Sequence, residues 1–202
     1  MSARRTVVLA SANKGKLAEI QAMLEGCGVE LRPLSAFDSS EVEETGLTFV
    51  ENAIIKARAA CVASGLPAIA DDSGLEVDAL GGEPGVHSAR FAGTHGDDQA
   101  NNQLLLERLA RVPAPGRTGR FRCVIVSLDH AADPAPLICE GIWEGRIADQ
   151  PRGEGGFGYD PLFVPQGISK TSAELSPAEK NRLSHRAQAL RKLIERLTQP
   201  VA

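Results

Sequence analysis

The sequence predicts a mixed α/β fold, a long mixed β-sheet with flanking helices, on three observations. A β-branched run near the start, Thr6 to Ala10, hands over to apolar residues at helical spacing. Two long extended stretches, Phe121 to Leu128 and Leu137 to Ile147, follow one another through Asp133, Pro134 and Pro136, as an antiparallel pair does. Helical stripes with clear start and stop signals lie before and after them. Strand–helix units favour parallel pairing and the later pair is antiparallel, so the sheet is expected to be mixed.

In order along the chain, Leu17, Ile20 and Leu24 carry the first helical stripe, which Gly26 and Gly28 end. Thr48 and Glu51 form a capping-box pair ahead of a second stripe, Phe49, Ala53, Ile54, Ala57 and Cys61, and Gly65 stops that helix. Pro67 to Ala70 reads as a short buried strand that runs into Asp71 and Asp72, with Ser73 and Gly74 as a turn and Leu75 to Leu80 as another short strand. A glycine-rich connection follows, and Asp97 to Arg111 is expected to be helical until Pro113 and Pro115 end it. After the extended pair, Ser176, Pro177 and Glu179 supply an N-cap, an N1 proline and an N3 acid. Leu183, Ala187, Leu190, Ile194 and Leu197 then line one face of the last helix.

Composition excludes several function classes. The chain has 202 residues, 43% of them hydrophobic, which is enough to bury a core. Its formal net charge of −4 gives no bulk attraction to nucleic acid or to an anionic membrane. With 4% aromatic residues it has no stacking platform for single strands. No apolar run approaches the roughly 18 residues of a membrane span. The basic start is followed by too short an apolar run for a signal peptide, so a cytoplasmic setting is expected. Cys27, Cys61, Cys123 and Cys139 lack C-x-x-C spacing and sit among apolar residues, as small buried hydrophobes in a reducing compartment do.

Four motifs carry chemistry. The first loop, Ser11-Ala12-Asn13-Lys14-Gly15-Lys16, joins a strand to a helix, where free N–H groups and the helix dipole attract phosphate. It is not a Walker A loop, and its residues alone leave an anion site and an ordinary solvated turn equally open. Asp71-Asp72 delivers carboxylates to a strand end, hard oxygen ligands of the kind that hold Mg²⁺ together with substrate phosphates, whereas Glu41 reads as a solvated acid. Gly153 to Gly158 formally matches G-x-G-x-x-G, but Pro161 forbids the helix that a dinucleotide fingerprint must open. On the last helix, Lys180, His185 and Arg186 converge only if the helix breaks near Ser184. His87, His95 and His130 read as surface or loop residues.

Taken in order, Ser-Ala-Asn-Lys-Gly-Lys, Glu-Glu-Thr-Gly-Leu-Thr-Phe, Glu-Asn-Ala, Ala-Asp-Asp-Ser-Gly-Leu, Gly-Gly-Phe-Gly-Tyr-Asp-Pro and Ser-His-Arg resemble the inosine triphosphate pyrophosphatase family over nearly the whole chain. The resemblance implies one domain, residues 1–202, of two lobes with a central cleft. It implies a homodimer that cleaves ITP, dITP or XTP to monophosphate and pyrophosphate with Mg²⁺, acting on purine nucleoside triphosphates and not on nucleic acid or membrane. By position, Ser11, Ala12, Asn13, Lys14, Gly15 and Lys16 hold phosphates, with Lys56 a further phosphate ligand. Asp72 is the general base, Glu43 and Asp72 hold the metal, and Ser73 contacts substrate. Phe157, Gly158, Tyr159, Asp160, Lys180, His185 and Arg186 enclose and read the base. Ser11-Ala12 stands where many relatives have Thr-x or Thr-Gly, a change that keeps the hydroxyl.

Physical chemistry supports these roles. Metal and lysines neutralise triphosphate charge while a carboxylate orients or deprotonates water. Metal ligation by Asp72 ranks above direct proton abstraction, because one carboxylate cannot fully serve both at once. His and Arg donors suit a 6-oxo group and leave the 6-amino group of adenine unmatched. Two other readings compete. Maf-like pyrophosphatases have Ser-Pro-Arg-Arg where this chain has Ala12-Asn13-Lys14-Gly15. A nucleotide-binding regulatory module would bind substrate without releasing pyrophosphate.

Overall fold

Arg5–Ala10 (β1) is apolar and β-branched at its centre, and Val7 to Ala10 are buried, so it pairs on both sides. The computed structural model describes residues 5–38, 40 and 42–198; Glu41 lies outside the described residues. Lys14–Leu24 (α1) follows, then Val29–Pro33 (β2), which runs parallel to β1. Phe49–Ser64 (α2) begins on the expected capping box of Thr48 and Glu51, and Gly65 ends it at φ 66°, the left-handed conformation that favours glycine. Ala68–Val77 (β3) lies parallel to β1, with Val8 opposite Ala68 and Ala10 opposite Ala70.

β3 corrects one sequence expectation. Ser73 and Gly74 form no turn; the strand passes through Asp71, Asp72, Ser73 and Gly74 to Val77, and Asp78–Leu80 is a 3-10 turn. Local preference loses to the sheet, because extension buries Leu75 and Val77 fully, at roughly 1.5–3 kcal/mol for such a side chain. The remaining elements are Asp98–Arg108 (α3), Thr118–Leu128 (β4), Leu137–Ile147 (β5), Phe163–Pro165 (β6), Pro177–Leu183 (α4) and His185–Thr198 (α5). The strand order is β2-β1-β3-β4-β5-β6, with β6 antiparallel to β5, so the sheet is mixed.

Packing divides the chain into two units, 1–72 with 123–140 and 186–202, and 73–122 with 141–185. In the first, Val7, Leu9, Ile69 and Ile125 of the strands meet Ile20 and Leu24 of α1 and Leu190 and Leu193 of α5. In the second, Leu75, Phe121, Trp143 and Phe163 meet Leu105 and Leu109. Cys61, Cys123 and Cys139 are buried and Cys27 is half-buried, all as free thiols. His87, His95 and His130 are exposed. Among the described residues no helix is long and apolar enough to cross a membrane.

Candidate active site

Ala10, the last residue of β1, pairs with Ala70 in parallel register, so Ser11 leaves the carboxyl end of β1 beside Asp71, which lies within β3 and not at the strand end that the sequence suggests. Ligands of parallel sheets gather at such ends. α1 starts at Lys14, earlier than the apolar stripe suggests, because Asn13 caps it: its Oδ1 accepts from the Lys16 N–H at 3.0 Å, and the Ser11 Oγ accepts from the Asn13 N–H at 3.3 Å. The first turn of α1 therefore brings an amide-lined helix N-terminus and two lysines to this edge of the sheet. Ser11 and Gly15 are half-buried there, while Ala12, Asn13 and Lys14 are exposed.

The sequence alone does not separate Asp71 from Asp72, but their surroundings do. Asp71 is fully enclosed: Lys16 Nζ lies 2.5 Å from Oδ1, Arg186 Nε donates to Oδ2 at 3.0 Å, and the Cys123 thiol donates to Oδ2 at 2.9 Å. Burial pushes its carboxyl upward, but the Arg186 and Lys16 charges outweigh burial and hold it well below the usual carboxylate range. Asp72 is also buried, yet only its Oδ1 is engaged, by Lys56 Nζ at 2.6 Å. Its Oδ2 is buried with no hydrogen-bond partner among the described residues. Burial pushes the Asp72 carboxyl up against the pull of Lys56 and Lys16, and the nearby Glu44 carboxylate adds to the rise. Asp71 is thus a fixed counter-ion, and Asp72 is the carboxylate with an oxygen to spare.

Lys56 is shared between Asp72 and Glu44, the latter at 2.7 Å from its Nζ. Burial lowers the Lys56 ammonium, but the two carboxylates outweigh it and raise its pKa above the ordinary lysine value. Glu44, not the exposed Glu43, makes this contact, and Glu43 stands beside it in the same loop. That loop is anchored on α2. The Gly46 N–H donates to Oδ1 of the buried Asn52 at 2.8 Å, and a Cβ on Gly46 would lie 2.6 Å from Cβ of Glu51 and 2.7 Å from Asn52 Oδ1. Gly46→Ala is expected to cost about 1–3 kcal/mol by overpacking, with the loss read from chemical unfolding curves and a parallel fall in activity as the loop shifts.

Arg186 begins α5 just after a real break: Ser184 is extended at φ −64° and ψ 159° between α4 and α5. Its guanidinium is 2% exposed and committed to Asp71 and to Glu19, whose Oε2 lies 2.5 Å from Nη1. A donation from Arg186 to a base therefore requires it to release one of these carboxylates. Glu19 is three residues beyond Lys16 on α1, a spacing that puts both on one face. Ser73, the next residue of β3, is half-buried.

In the second unit, Gly153 to Phe157 is irregular, a turn follows over Gly158 to Asp160, and no helix opens there, as Pro161 predicts. The Asp160 carboxylate closes the loop on itself by accepting from the Phe157 N–H at 2.9 Å, and Lys180 Nζ lies 2.5 Å from the same oxygen and 4.7 Å from the centroid of the Phe157 ring. Tyr159 is buried and donates its hydroxyl to the Ser88 carbonyl at 2.9 Å; burial raises its phenol, and Asp98 adds to the rise. His185 is buried in parallel stacking on Phe121, with ring centroids 4.7 Å apart. The first unit thus gathers Lys16, Lys56, Asp71, Asp72 and Arg186, and the second gathers Phe157, Gly158, Tyr159, Asp160 and Lys180.

Among the described residues no three His, Cys, Asp or Glu side chains form a cluster that encloses a metal by themselves. A hard cation needs less here, since Mg²⁺ is commonly held by one or two carboxylates plus substrate phosphates and water. The unpaired Asp72 Oδ2 fits that requirement.

The model of the Ham1 family matches residues 7–196 of this chain. A protein of Thioalkalivibrio sulfidiphilus named dITP/XTP pyrophosphatase is 59% identical over 191 residues, 95% of this chain and 97% of its own. Another of that name from Pseudomonas aeruginosa is 58% identical over 95% of this chain and 96% of its own. The solved structure of a HAM1 protein from Coxiella burnetii superposes with a TM-score of 0.90 at 50% identity, covering 97% of this chain and 100% of that one.

Proposed function

Because the chain belongs to the Ham1 family, we propose that it hydrolyses non-standard purine nucleoside triphosphates, dITP, ITP and XTP, to the monophosphate and pyrophosphate. The observation that carries this reading is the division of labour midway along β3: Asp71 neutralised inside an ion network, Asp72 buried beside Lys56 with one oxygen unused. A water oxygen replaces the bridging oxygen on one phosphorus, the bond between the α and β phosphates breaks, and the pyrophosphate leaves with the electron pair. Asp72 orients that water or takes its proton. The first turn of α1, with Ser11 to Lys16, and Lys56 take the phosphate charge, and positioning and electrostatics do most of the work.

The cofactor is Mg²⁺, which Asp72 and Glu43 would hold; when bound it would neutralise phosphate charge and raise the acidity of water. The Phe157 to Asp160 loop, Lys180, His185 and Arg186 enclose the base, and Ser73 contacts substrate. A 6-oxo purine accepts from cationic donors that adenine leaves unmatched. One domain of two lobes acts as a homodimer in the cytoplasm, clearing these nucleotides before they enter DNA or RNA.

The test is release of pyrophosphate and monophosphate from ITP, dITP, XTP, ATP, GTP, CTP and UTP, with Mg²⁺ and then with chelator. Turnover confined to the first three and abolished by chelator is expected. Turnover of the pyrimidine nucleotides would replace this reading with a Maf-like one, and binding without release would replace it with a regulatory module.

A further inference from the structure

The glycine-rich loop Gly153 to Gly158 has four glycines in six residues, and each glycine frees the unfolded or unbound backbone more than any other residue. A binding loop of that composition loses affinity to ordering unless something outside it fixes its shape. The fixing element here is α3. Asp98 Oδ2 accepts from the Gly158 N–H at 2.6 Å, and Asn102 Nδ2 donates to the Gly158 carbonyl at 2.8 Å. Both polar groups of one loop residue are gripped from one helix face, by residues at i and i+4. Asn102 also donates to the Asp98 carbonyl at 2.7 Å, which ties the two together. The N–H bond is charge-assisted, the stronger class.

α3 is itself held rigidly. Asp97 caps it by accepting from the Ala100 N–H at 3.0 Å. Asn101, 2% exposed, accepts from the Ala92 N–H at 2.8 Å, while Leu105 and Leu109 are fully buried. Gly158 adopts φ +61° with open space around its missing Cβ, so it is glycine for backbone conformation, which the grip preserves. From this geometry we infer that Asp98, with Asn102, is the positioning residue that pre-forms the Phe157 to Asp160 loop for the purine base, and so sets affinity for the base without taking part in bond cleavage. The inference rests on the functional reading above, in which this loop encloses the base.

The experiment compares wild type, Asp98→Ala, Asp98→Asn and Asn102→Ala in steady-state hydrolysis of ITP and dITP, with inorganic tripolyphosphate as a competitive inhibitor that has no base. Asp98→Ala is expected to raise KM about tenfold, with kcat within about twofold and the inhibition constant of tripolyphosphate unchanged. Asp98→Asn keeps a side-chain oxygen to accept from Gly158 and is expected to recover most of the loss. Asn102→Ala moves KM in the same direction by a smaller factor. An unchanged KM in Asp98→Ala overturns the inference, as does an equal weakening of tripolyphosphate, which would show general damage. If Asp98→Ala fails to fold, Asp98→Asn and Asn102→Ala decide by the same criteria. A wild type that shows no preference for 6-oxo purines fails the functional reading itself, an outcome separate from a selective wild type whose KM ignores Asp98.

Discussion

Asp72→Asn is expected to lower kcat for dITP or ITP by about 10²–10⁴, the range for a lost general base. Asparagine matches aspartate in shape, so Lys56 and Glu44 stay in place and the fold survives. What disappears is the charge on a buried carboxylate whose Oδ2 alone is unengaged. Either role assigned to Asp72 depends on that charge: an amide binds Mg²⁺ poorly and takes no proton from water. Titrating Mg²⁺ separates them. If excess metal recovers part of the rate, ligation dominates; if the rate stays low at saturation, proton transfer does. A near-normal kcat with no need for extra Mg²⁺ would eliminate both. The thermal midpoint, measured alongside, should shift little.

Arg186→Met is expected to give the largest loss of stability. Methionine refills much of the volume, but Asp71 keeps a fully buried charge with Lys16 as its main remaining cation, and Glu19 loses its partner. Breaking one side of a buried pair costs about 3–5 kcal/mol. At roughly 2–4 °C per kcal/mol for a chain of this size, the melting temperature should fall by about 6–20 °C. The pH dependence has a definite sign. Asp71 is held well below the unfolded carboxylate value of about 3.9, so the folded state keeps it ionised where the unfolded state has begun to take up protons. Its stabilisation is complete above the unfolded value and is lost as pH falls toward the folded one. The gap between wild type and Arg186→Met is therefore full at neutral pH and narrows in acid. Calorimetry across that range checks it, and a gap below about 1 kcal/mol at pH 7 would mean that water solvates the network.

Much of the fold around the candidate site was legible because it rests on local signals. The capping boxes at Thr48 and Ser176, the glycine stop at Gly65 and the proline veto at Pro161 are all short-range, and each stands as read. β5 runs over the stretch read as extended, Leu137–Ile147. What the sequence hid is set by distant partners. β2 has few apolar residues and ends in proline, and β6 is three residues long, so neither has enough alternation to register. Ser73 and Gly74 look like a turn until the sheet claims them. The separate fates of Asp71 and Asp72 depend on Arg186, 115 positions away, and on Lys56 one turn and more into α2. Glu44 carried no signal of its own, standing beside Glu43 in an acidic stretch. Asp98 and Asn102 look like ordinary polar residues of an exposed helix face, and only the loop they grip gives them meaning.

The interruption at Ser184 bears on how this chain can vary. Lys180, four residues before it, pairs with Asp160 in the second unit, and Arg186, two residues after it, pairs with Asp71 in the first. Each added or deleted residue turns a helix by about 100°, so a length change at this junction would leave at least one of these cations facing the wrong way. Loops ordinarily absorb insertions freely. This one is a single extended and buried residue, so its spacing is as much a determinant of the protein as the residues on either side.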